Sequence, residues 1–455
     1  MFINEVTKKT KYNNKELLKF ILPSLMGVML FMVPIYYNGE LSIPIAVFSN
    51  IIQGLFEEVL PLILTLLITL VSIITAIYKI AKPKFMINNK VFKTLFDIKP
   101  IWFFGRILGA LFVLISYLNI GPSFIASEDT GLFILTGLLP TLFVVFFFAG
   151  LFLPLLLNFG LLEFCGSMLT KIMRPLFKLP GRSSVDCITS WLGDGTIGVL
   201  LTSKQYEEGF YSKREACVIS TTFSVVSITF SFVIISQVGL SHMFIPFYLT
   251  VTLAGVIAAI ILPRIWPLKN ITDKYHNGVN PKNNEEIPHG HTPFTFGLDL
   301  AVKKASTQKG TKAFFKEGFL NVLDMWIGVL PIVMAMGTIA LCLAEYTPIF
   351  QWLGAPFIPL LNLLQIPEAQ AASQTVIVGF ADMFLPSVMA SKITSDMTRF
   401  IIACVSVTQL IYLSEVGSVI LASKIPLKLK DLFIIFLTRT LITLPIIALI
   451  AHILF

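Results

Sequence analysis

PGRSSVD at residues 180–186 opens the stretch of sequence that decides the fold, and SWLGDGT at 190–196 and STTFSVVS at 220–227 continue it. These segments consist mainly of small, hydroxylated and acidic residues inside a very apolar protein. Residues 180–203 have too few apolar side chains to cross a bilayer as one helix. Polar backbone at membrane depth is tolerated only where it is buried in protein or lines a cavity. The stretch therefore predicts a re-entrant helical hairpin that leads into a helix with a polar face.

The composition of the chain predicts an α-helical membrane protein with many spans. Of its 455 residues, 55% are hydrophobic and only 13% are charged, whereas a soluble domain averages about 25% charged residues. Apolar runs of about 20 residues, which is the length of a membrane-spanning helix, recur along the chain. The net charge of +8 is spread over the loops, so it indicates membrane topology and not nucleic-acid binding. The expected partners are the lipid bilayer and a small-molecule substrate.

Nine membrane spans are predicted, and the distribution of Lys and Arg orients them. Lysines cluster around the start of the first span, which places the N-terminus in the cytoplasm. With this orientation only Lys392 and Arg399, of 34 basic residues, fall outside. The expected location is the cell membrane. The predicted spans are residues 17–37, 55–80, 101–118, 132–158, 216–238, 244–262, 319–344, 398–421 and 432–454.

The order of a span, an interfacial run, a polar hairpin and two further spans occurs twice. The first hairpin is expected to open from the cytoplasm and the second from outside, which makes the two copies an inverted repeat with a binding site near the bilayer midplane. The predicted units are a scaffold of three spans (1–130), a first repeat (131–263) with hairpin 183–203, a cytoplasmic linker (264–318) and a second repeat (319–455) with hairpin 369–391.

The two copies also align at short motifs. Gly193-Asp194 in the first copy matches Gly379 and the nearby Asp382, and STT at 220–222 matches SVT at 406–408. Both copies resemble gate (nucleoside-recognition) domains, and the whole chain resembles the YjiH-like gate-domain membrane proteins. It is more distantly similar to concentrative nucleoside transporters. That resemblance implies that two opposed hairpins and the helices after them hold the substrate, with coupling to sodium or protons.

The candidate substrate- and ion-binding residues lie in the two hairpins and in the spans that follow them. A transporter site replaces the water around a polar solute with side chains and freed backbone groups, which hairpin tips and broken helices supply. Na⁺ is a candidate ligand near Thr222 and Thr408, with H⁺ as the other candidate coupling ion, and neither another metal nor an organic cofactor is expected. The candidates are Ser190, Asp194, Thr196, Thr222, Ser224, Ser227, Ser373, Gln374, Thr375, Asp382, Thr408, Gln409, Ser414 and Glu415.

Glu415 is the strongest single candidate, because a carboxylate inside an apolar span is costly and indicates function. Thr408, Tyr412 and Glu415 are spaced by four and three residues, which predicts that they share one helical face. Glu415 would bind a coupling cation, accept a hydrogen bond from a substrate hydroxyl or carry a proton. The alternatives are that it caps a broken backbone or pairs with Arg439.

These features together predict a secondary active transporter of a small polar solute, coupled to Na⁺ or H⁺ and working by an elevator or alternating-access movement. Nucleosides, amino acids and dipeptides are all compatible with the candidate residues. The sequence contains no GxxxxGK[ST], HExxH or GxSxG motif, so an enzyme is not expected. The rival hypotheses are a gate-domain scaffold or assembly factor that transports nothing, and a passive channel. A homo-oligomer is a candidate assembly.

Overall fold

A computed structural model describes residues 12–33, 35–37, 40–192, 195–223, 228–276, 287–288, 290–308 and 310–455. Helices account for most of these residues, and the only strands among them form one short hairpin, so the chain is an all-α membrane protein. Six helical segments in the described part are long and apolar enough to cross a bilayer. They are Leu60–Ile80, Pro100–Leu118, Ser123–Leu157, Ser241–Asn270, Gly310–Tyr346 and Leu429–Leu454.

The N-terminal part is a helical scaffold whose elements are tied together by Arg106. Its guanidinium is buried in α6 and donates to Thr75 Oγ1 of α3 (3.0 Å) and to the Leu95 carbonyl of α5 (3.1 Å). The β-hairpin pairs Ile35 with Ser42. The elements are α1 (Asn14–Phe31), β1 (Ile35–Tyr37), β2 (Glu40–Ser42), α2 (Pro44–Leu55), α3 (Leu60–Ile80), α4 (Lys84–Ile87), α5 (Lys90–Phe96), α6 (Pro100–Leu118) and α7 (Ser123–Ala126).

The first of two similar helix arrangements follows the scaffold. A π-helical turn (Ile134–Leu138) joins α8 to α9, and short 3-10 turns (Ser241–Met243, Leu262–Arg264 and Leu268–Asn270) flank or follow α15. The helices are α8 (Gly131–Phe133), α9 (Leu139–Leu157), α10 (Leu161–Phe177), α11 (Ser183–Leu192), α12 (Gly195–Glu207), α13 (Lys213–Thr222), α14 (Ile228–Gln237) and α15 (Phe244–Ile261).

The second arrangement repeats this order after a connecting helix. That helix, α16, begins at a capping box formed by Thr292 and Thr295 and packs on α1 and α10, so part of the predicted linker is an ordered helix. The helices are α16 (Pro293–Ser306), α17 (Gly310–Gly328), α18 (Leu330–Tyr346), α19 (Ile349–Gly354), α20 (Ile358–Leu363) after a 3-10 turn, α21 (Ala369–Val378), α22 (Leu385–Ala390), α23 (Asp396–Gln409), α24 (Val416–Ala422) and α25 (Leu429–Leu454).

The main hydrophobic core of the described residues runs through both arrangements, and α9, at the start of the first, connects it to the scaffold and to α17. The α9 helix is apolar on all sides and mostly buried, as expected for a helix surrounded by other helices. It packs against α1, α2 and α17. Trp326 of α17 stacks on Phe143 with ring centroids 4.2 Å apart and donates to the Phe143 carbonyl at 2.9 Å. The start of the second arrangement is therefore anchored on the start of the first.

Three predicted spans differ from what the structure contains. The last residues of predicted span 17–37 form strand β1, where Tyr36 and Tyr37 suit an extended conformation. Predicted span 398–421 is divided between α23 and α24, whereas predicted span 216–238 contains α13 and α14, and residues 224–227 between them lie outside the described part. Helices α13 and α23, which end within these two predicted spans, form the candidate site.

Candidate functional site

Two helices that end deep in the protein define the candidate site. Helix α13 ends at Thr222 and helix α23 ends at Gln409, at equivalent positions of the two arrangements. All residues from Glu215 to Thr222 are buried, and so are those from Phe400 to Gln409. The carbonyl groups of the last turn of a helix have no partner within that helix. The carbonyl groups of Thr222 and Thr408, at or next to these two ends, therefore lie inside the protein.

Arg439 of α25 connects these two helix ends. Its Nε donates to the Thr408 carbonyl and its Nη1 donates to the Thr222 carbonyl at 3.3 Å. The side chain is completely buried, and Nη2 has no hydrogen-bond partner among the described residues. From the sequence, Arg439 was a candidate only as a partner for Glu415. Its position ten residues into an apolar helix was the available signal, because a buried charge in a membrane span indicates function.

Each hairpin packs against a short helix of the other arrangement. Helix α24 packs on α12 of the first hairpin, where the Lys424 amide donates to Ser203 Oγ at 3.2 Å. In the same way α14 packs on α22 of the second hairpin, where the Phe230 and Phe384 rings lie 6.2 Å apart. The packing is reciprocal, because a helix of the second arrangement contacts the first hairpin and a helix of the first arrangement contacts the second hairpin. Each hairpin is therefore held by both arrangements.

The tip of the second hairpin is bonded to the break between α23 and α24. The amides of Leu413 and Ser414 donate to the carbonyls of Phe380 and Ala381 at 2.8 and 2.9 Å. Asp382 joins both sides, because its Oδ2 accepts from Ser414 Oγ at 2.7 Å and its Oδ1 accepts from the Phe384 amide at 2.7 Å. Asp382 and Ser414 thus lie together, as part of the hairpin tip.

Gln409 connects the same break to α25. Its Nε2 donates to the Val376 carbonyl at 2.8 Å and to Thr440 Oγ1 at 3.1 Å. Its Oε1 is buried without a partner in the described part of the chain. A Cβ atom on Gly379 would lie 2.0 Å from that oxygen, so only glycine allows the carboxamide to take this position. Gln409 therefore lies against the tip of the second hairpin, one residue from the Arg439 contact.

The remaining hydroxyl candidates divide into two groups. Ser373, Thr375 and Thr408 each donate to a carbonyl three or four residues earlier in their own helix, which is the usual structural role of Ser and Thr in membrane helices. Thr222 Oγ1 is different, because it is buried and has no partner among the described residues. Thr222 is therefore the hydroxyl candidate with unused hydrogen-bonding capacity.

Gln374 lies apart from the other candidates. It is half-buried on α21 and lines a cleft of about 230 Å³ with Glu345 and Gln351. The cleft lies between the end of α18, α19 and the second hairpin. Gln374 thus faces a polar opening next to the hairpin and not the buried helix ends.

Glu415 is placed differently from its prediction. Helix α23 ends at Gln409, Leu410 adopts a left-handed backbone with φ of 62°, and Glu415 immediately precedes α24. Thr408, Tyr412 and Glu415 therefore do not share one helical face, because no continuous helix joins them. The half-buried Glu415 lies in the break itself, and Arg439 bonds to carbonyl groups instead.

The first hairpin contains buried polar side chains that the sequence analysis did not select. The predicted candidates Ser190 and Thr196 are both buried in this hairpin. Asp186 accepts from Thr202 Oγ1 at 3.0 Å across the hairpin, and neither amide atom of Gln205 has a partner in the described region. Helix α12 is buried on all sides, so no amphipathic pattern in its sequence could single out these side chains. Asp194, Ser224 and Ser227, also predicted, lie outside the described residues.

Among the described residues, no cluster of three His, Cys, Asp or Glu side chains has the arrangement of a metal site. At the start of the second hairpin, away from its tip, the exposed Glu368 carboxylate accepts from Thr394 Oγ1 at 2.6 Å and from the Ser395 amide at 3.0 Å. These hydrogen bonds favour the charged form and lower the pKa of Glu368. Glu368 thereby joins the start of α21 to the start of α23.

Comparison with known proteins gave two findings. The family profile described as Gate, nucleoside recognition, matches residues 139–241. This range includes the first hairpin and the helix that ends at Thr222. An uncharacterized protein of Alkalihalophilus pseudofirmus is 51% identical over 455 residues, which are 100% of this chain and 98% of the relative.

Proposed function

This chain belongs to the YjiH-like gate-domain membrane proteins, and we propose that it is a secondary active transporter of a small polar solute. One observation carries the proposal. Three buried polar atoms without partners in the described part of the chain, Thr222 Oγ1, Gln409 Oε1 and Arg439 Nη2, lie around the two helix ends. Burying an unpaired polar group is unfavourable, and a solute with matching donors and acceptors relieves that cost.

The proposed topology follows from the repeated arrangement. The six long helical segments cross the bilayer together with α1 and the predicted spans 216–238 and 398–421, which makes nine spans. The hairpins 183–203 and 369–391 enter from opposite faces, with the N-terminus in the cytoplasm and the protein in the cell membrane. The cleft beside Gln374 is then an outer opening towards the site. Polar groups that meet near the midplane between inverted repeats are typical of secondary transporters.

The solute class follows from the available atoms. The guanidinium nitrogen is a donor, the amide oxygen is an acceptor, and the hydroxyl is both. A nucleoside, an amino acid and a dipeptide each offer complementary groups, and the family description favours a nucleoside. Coupling to Na⁺ or H⁺ would drive accumulation. We propose no enzymatic activity, because the sequence lacks hydrolytic and nucleotide-binding motifs.

Thermal unfolding of the purified full-length protein tests the proposal. Ligand binding to the folded state raises the apparent Tm, so a panel of nucleosides, amino acids and dipeptides should contain at least one stabilising solute. Uptake of that solute into proteoliposomes against a gradient then separates a transporter from a passive channel. If no solute raises the Tm, the rival hypothesis of a gate-domain scaffold is favoured.

A pair of matched variants locates the binding site. Thr222→Val removes a hydroxyl without a described partner and should leave the Tm unchanged but weaken solute binding about tenfold, the effect of about 1.4 kcal/mol. Thr250→Val removes a buried hydroxyl that donates to the Pro246 carbonyl at 2.7 Å within its own helix. That control should bind the solute like the wild type. Equal solute affinity in both variants would place the solute away from Thr222.

A further inference from the structure

The two helix ends at the candidate site have the charge pattern of a cation site. The C-terminus of a helix carries a partial charge of about −0.5, and the Thr222 carbonyl of α13 and the Thr408 carbonyl of α23 contact the same buried side chain. Together they provide about one negative charge. In transporters built from inverted repeats, the C-terminal ends of half-helices are where coupling cations bind.

That position is filled by a side chain of the protein. The Arg439 guanidinium bonds to one carbonyl of each helix end, at Thr408 and at Thr222. The side chain is completely buried, and no carboxylate among the described residues pairs with it. The two helix ends are therefore its counter-charge. An arginine is always protonated in proteins, so this positive charge is permanent.

The corresponding position of the first arrangement is a glycine that lies next to the guanidinium. Gly255 occupies in α15 almost the same place along the helix as Arg439 in α25. A Cβ atom at Gly255 would lie 4.0 Å from Arg439 Nη2 and 3.8 Å from the Trp191 ring. A large side chain at Gly255 would therefore meet the guanidinium. Where the two arrangements meet, α25 therefore supplies a cation and α15 supplies a glycine without a side chain.

We propose that Arg439 takes the place of a coupling sodium ion between the two helix ends, and that the protein binds its solute without sodium. This inference rests on the proposed transport function and deepens it, because it removes Na⁺ from the candidate coupling ions and leaves H⁺. It also replaces the expectation of Na⁺ near Thr222 and Thr408, since the guanidinium already bonds to the carbonyl groups of both residues.

Thermal unfolding in three chloride salts of equal ionic strength tests the inference. Full-length wild-type protein should have the same Tm in sodium, potassium and choline chloride within about 1 °C. The Arg439→Ala variant leaves the helix ends without their cation, so it should unfold at a lower temperature in choline. Sodium should then raise its Tm in a saturable manner, as expected for a specific ligand. Arg439→Lys keeps the charge and should not respond to sodium.

A sodium-specific rise in the Tm of the wild type would overturn the inference. So would an Arg439→Ala protein that folds and does not respond to sodium. If Arg439→Ala does not fold, the wild-type comparison decides alone. The proposed function is tested separately, because these measurements need no solute: a protein that no solute stabilises contradicts transport, whereas its response to sodium still decides the role of Arg439.

Discussion

At the scale of single residues, buried amide side chains in the described part of this protein differ in how many of their atoms are hydrogen-bonded. Gln409 and Gln205 show the contrast, because both are about 1% exposed. The amide nitrogen of Gln409 donates to Val376 and Thr440, whereas neither amide atom of Gln205 has a partner in the described residues. The two residues therefore form a matched pair for mutation.

Gln409→Met should lower the free energy of unfolding by about 1–3 kcal/mol, because it leaves two buried acceptors unpaired. Gln205→Met removes no described hydrogen bond and should leave stability unchanged or raise it. The Tm values of the purified variants check both expectations. A Gln205→Met protein as unstable as Gln409→Met would mean that the Gln205 amide has a partner, such as a buried water molecule.

Glu368 provides a prediction for pH. Its pKa is lowered in the folded protein by the hydrogen bonds from Thr394 and Ser395, so its contribution to stability is present above the pKa of the unfolded chain, about 4.3. That contribution is lost as the pH falls through the lower folded value. The Tm difference between wild type and Glu368→Gln should therefore be present at neutral pH and shrink on acidification. A difference that grows on acidification would contradict this role.

At the scale of elements, the important feature is that the apolar run 398–421 is a divided helix. The sequence predicts this run as a single span, because residues 410–415 contain neither glycine nor proline. The break depends instead on a distant partner: the Phe380 and Ala381 carbonyls bond to the amides of Leu413 and Ser414. Hydrophobic periodicity reports local structure, so it misses a break that a hairpin elsewhere in the chain creates.

The close contact between α6 of the scaffold and α18 can be tested by substituting two glycines. A Cβ atom on Gly109 of α6 would lie 2.1 Å from the Pro331 carbonyl oxygen of α18, whereas one on Gly54 of α2 would meet nothing within 4 Å. Gly109→Ala should separate α6 from α18 and lower stability by about 1–3 kcal/mol. Gly54→Ala should raise it by up to about 1 kcal/mol, because alanine favours a helix. Equal Tm values for both variants would contradict this contact.

At the scale of the whole molecule, the all-α membrane class was the part of the fold that the sequence predicted best. The two polar stretches stand out against apolar surroundings, and each contains a pair of short helices, whereas their entry into the membrane from opposite faces stays a prediction. The binding roles of the candidate residues also stay predictions, and Arg439 was considered only as a partner of Glu415. An isolated arginine gives no indication of its partners, and here they are backbone carbonyls from two distant helices.

The proposed opposite orientation of the two hairpins predicts that residues beside them are labelled from opposite sides of the membrane. Lys178 precedes the first hairpin and Lys392 follows the second, and both are exposed. In a background without the native cysteines, Lys392→Cys should react with a membrane-impermeant maleimide in intact cells. Lys178→Cys should react only after the cells are made permeable. Labelling of both from the same side would contradict the inverted repeat.

The reciprocal packing of α14 on the second hairpin and of α24 on the first has a consequence for any chain with one such unit. Alone, that unit would leave its half-helix without a neighbour and its helix end without a counter-charge inside the lipid. On the proposed topology it would need a second polypeptide inserted in the opposite orientation beside it. In the present protein both units belong to one chain, and the two helices that meet between them carry an arginine on one side, Arg439, and a glycine on the other, Gly255.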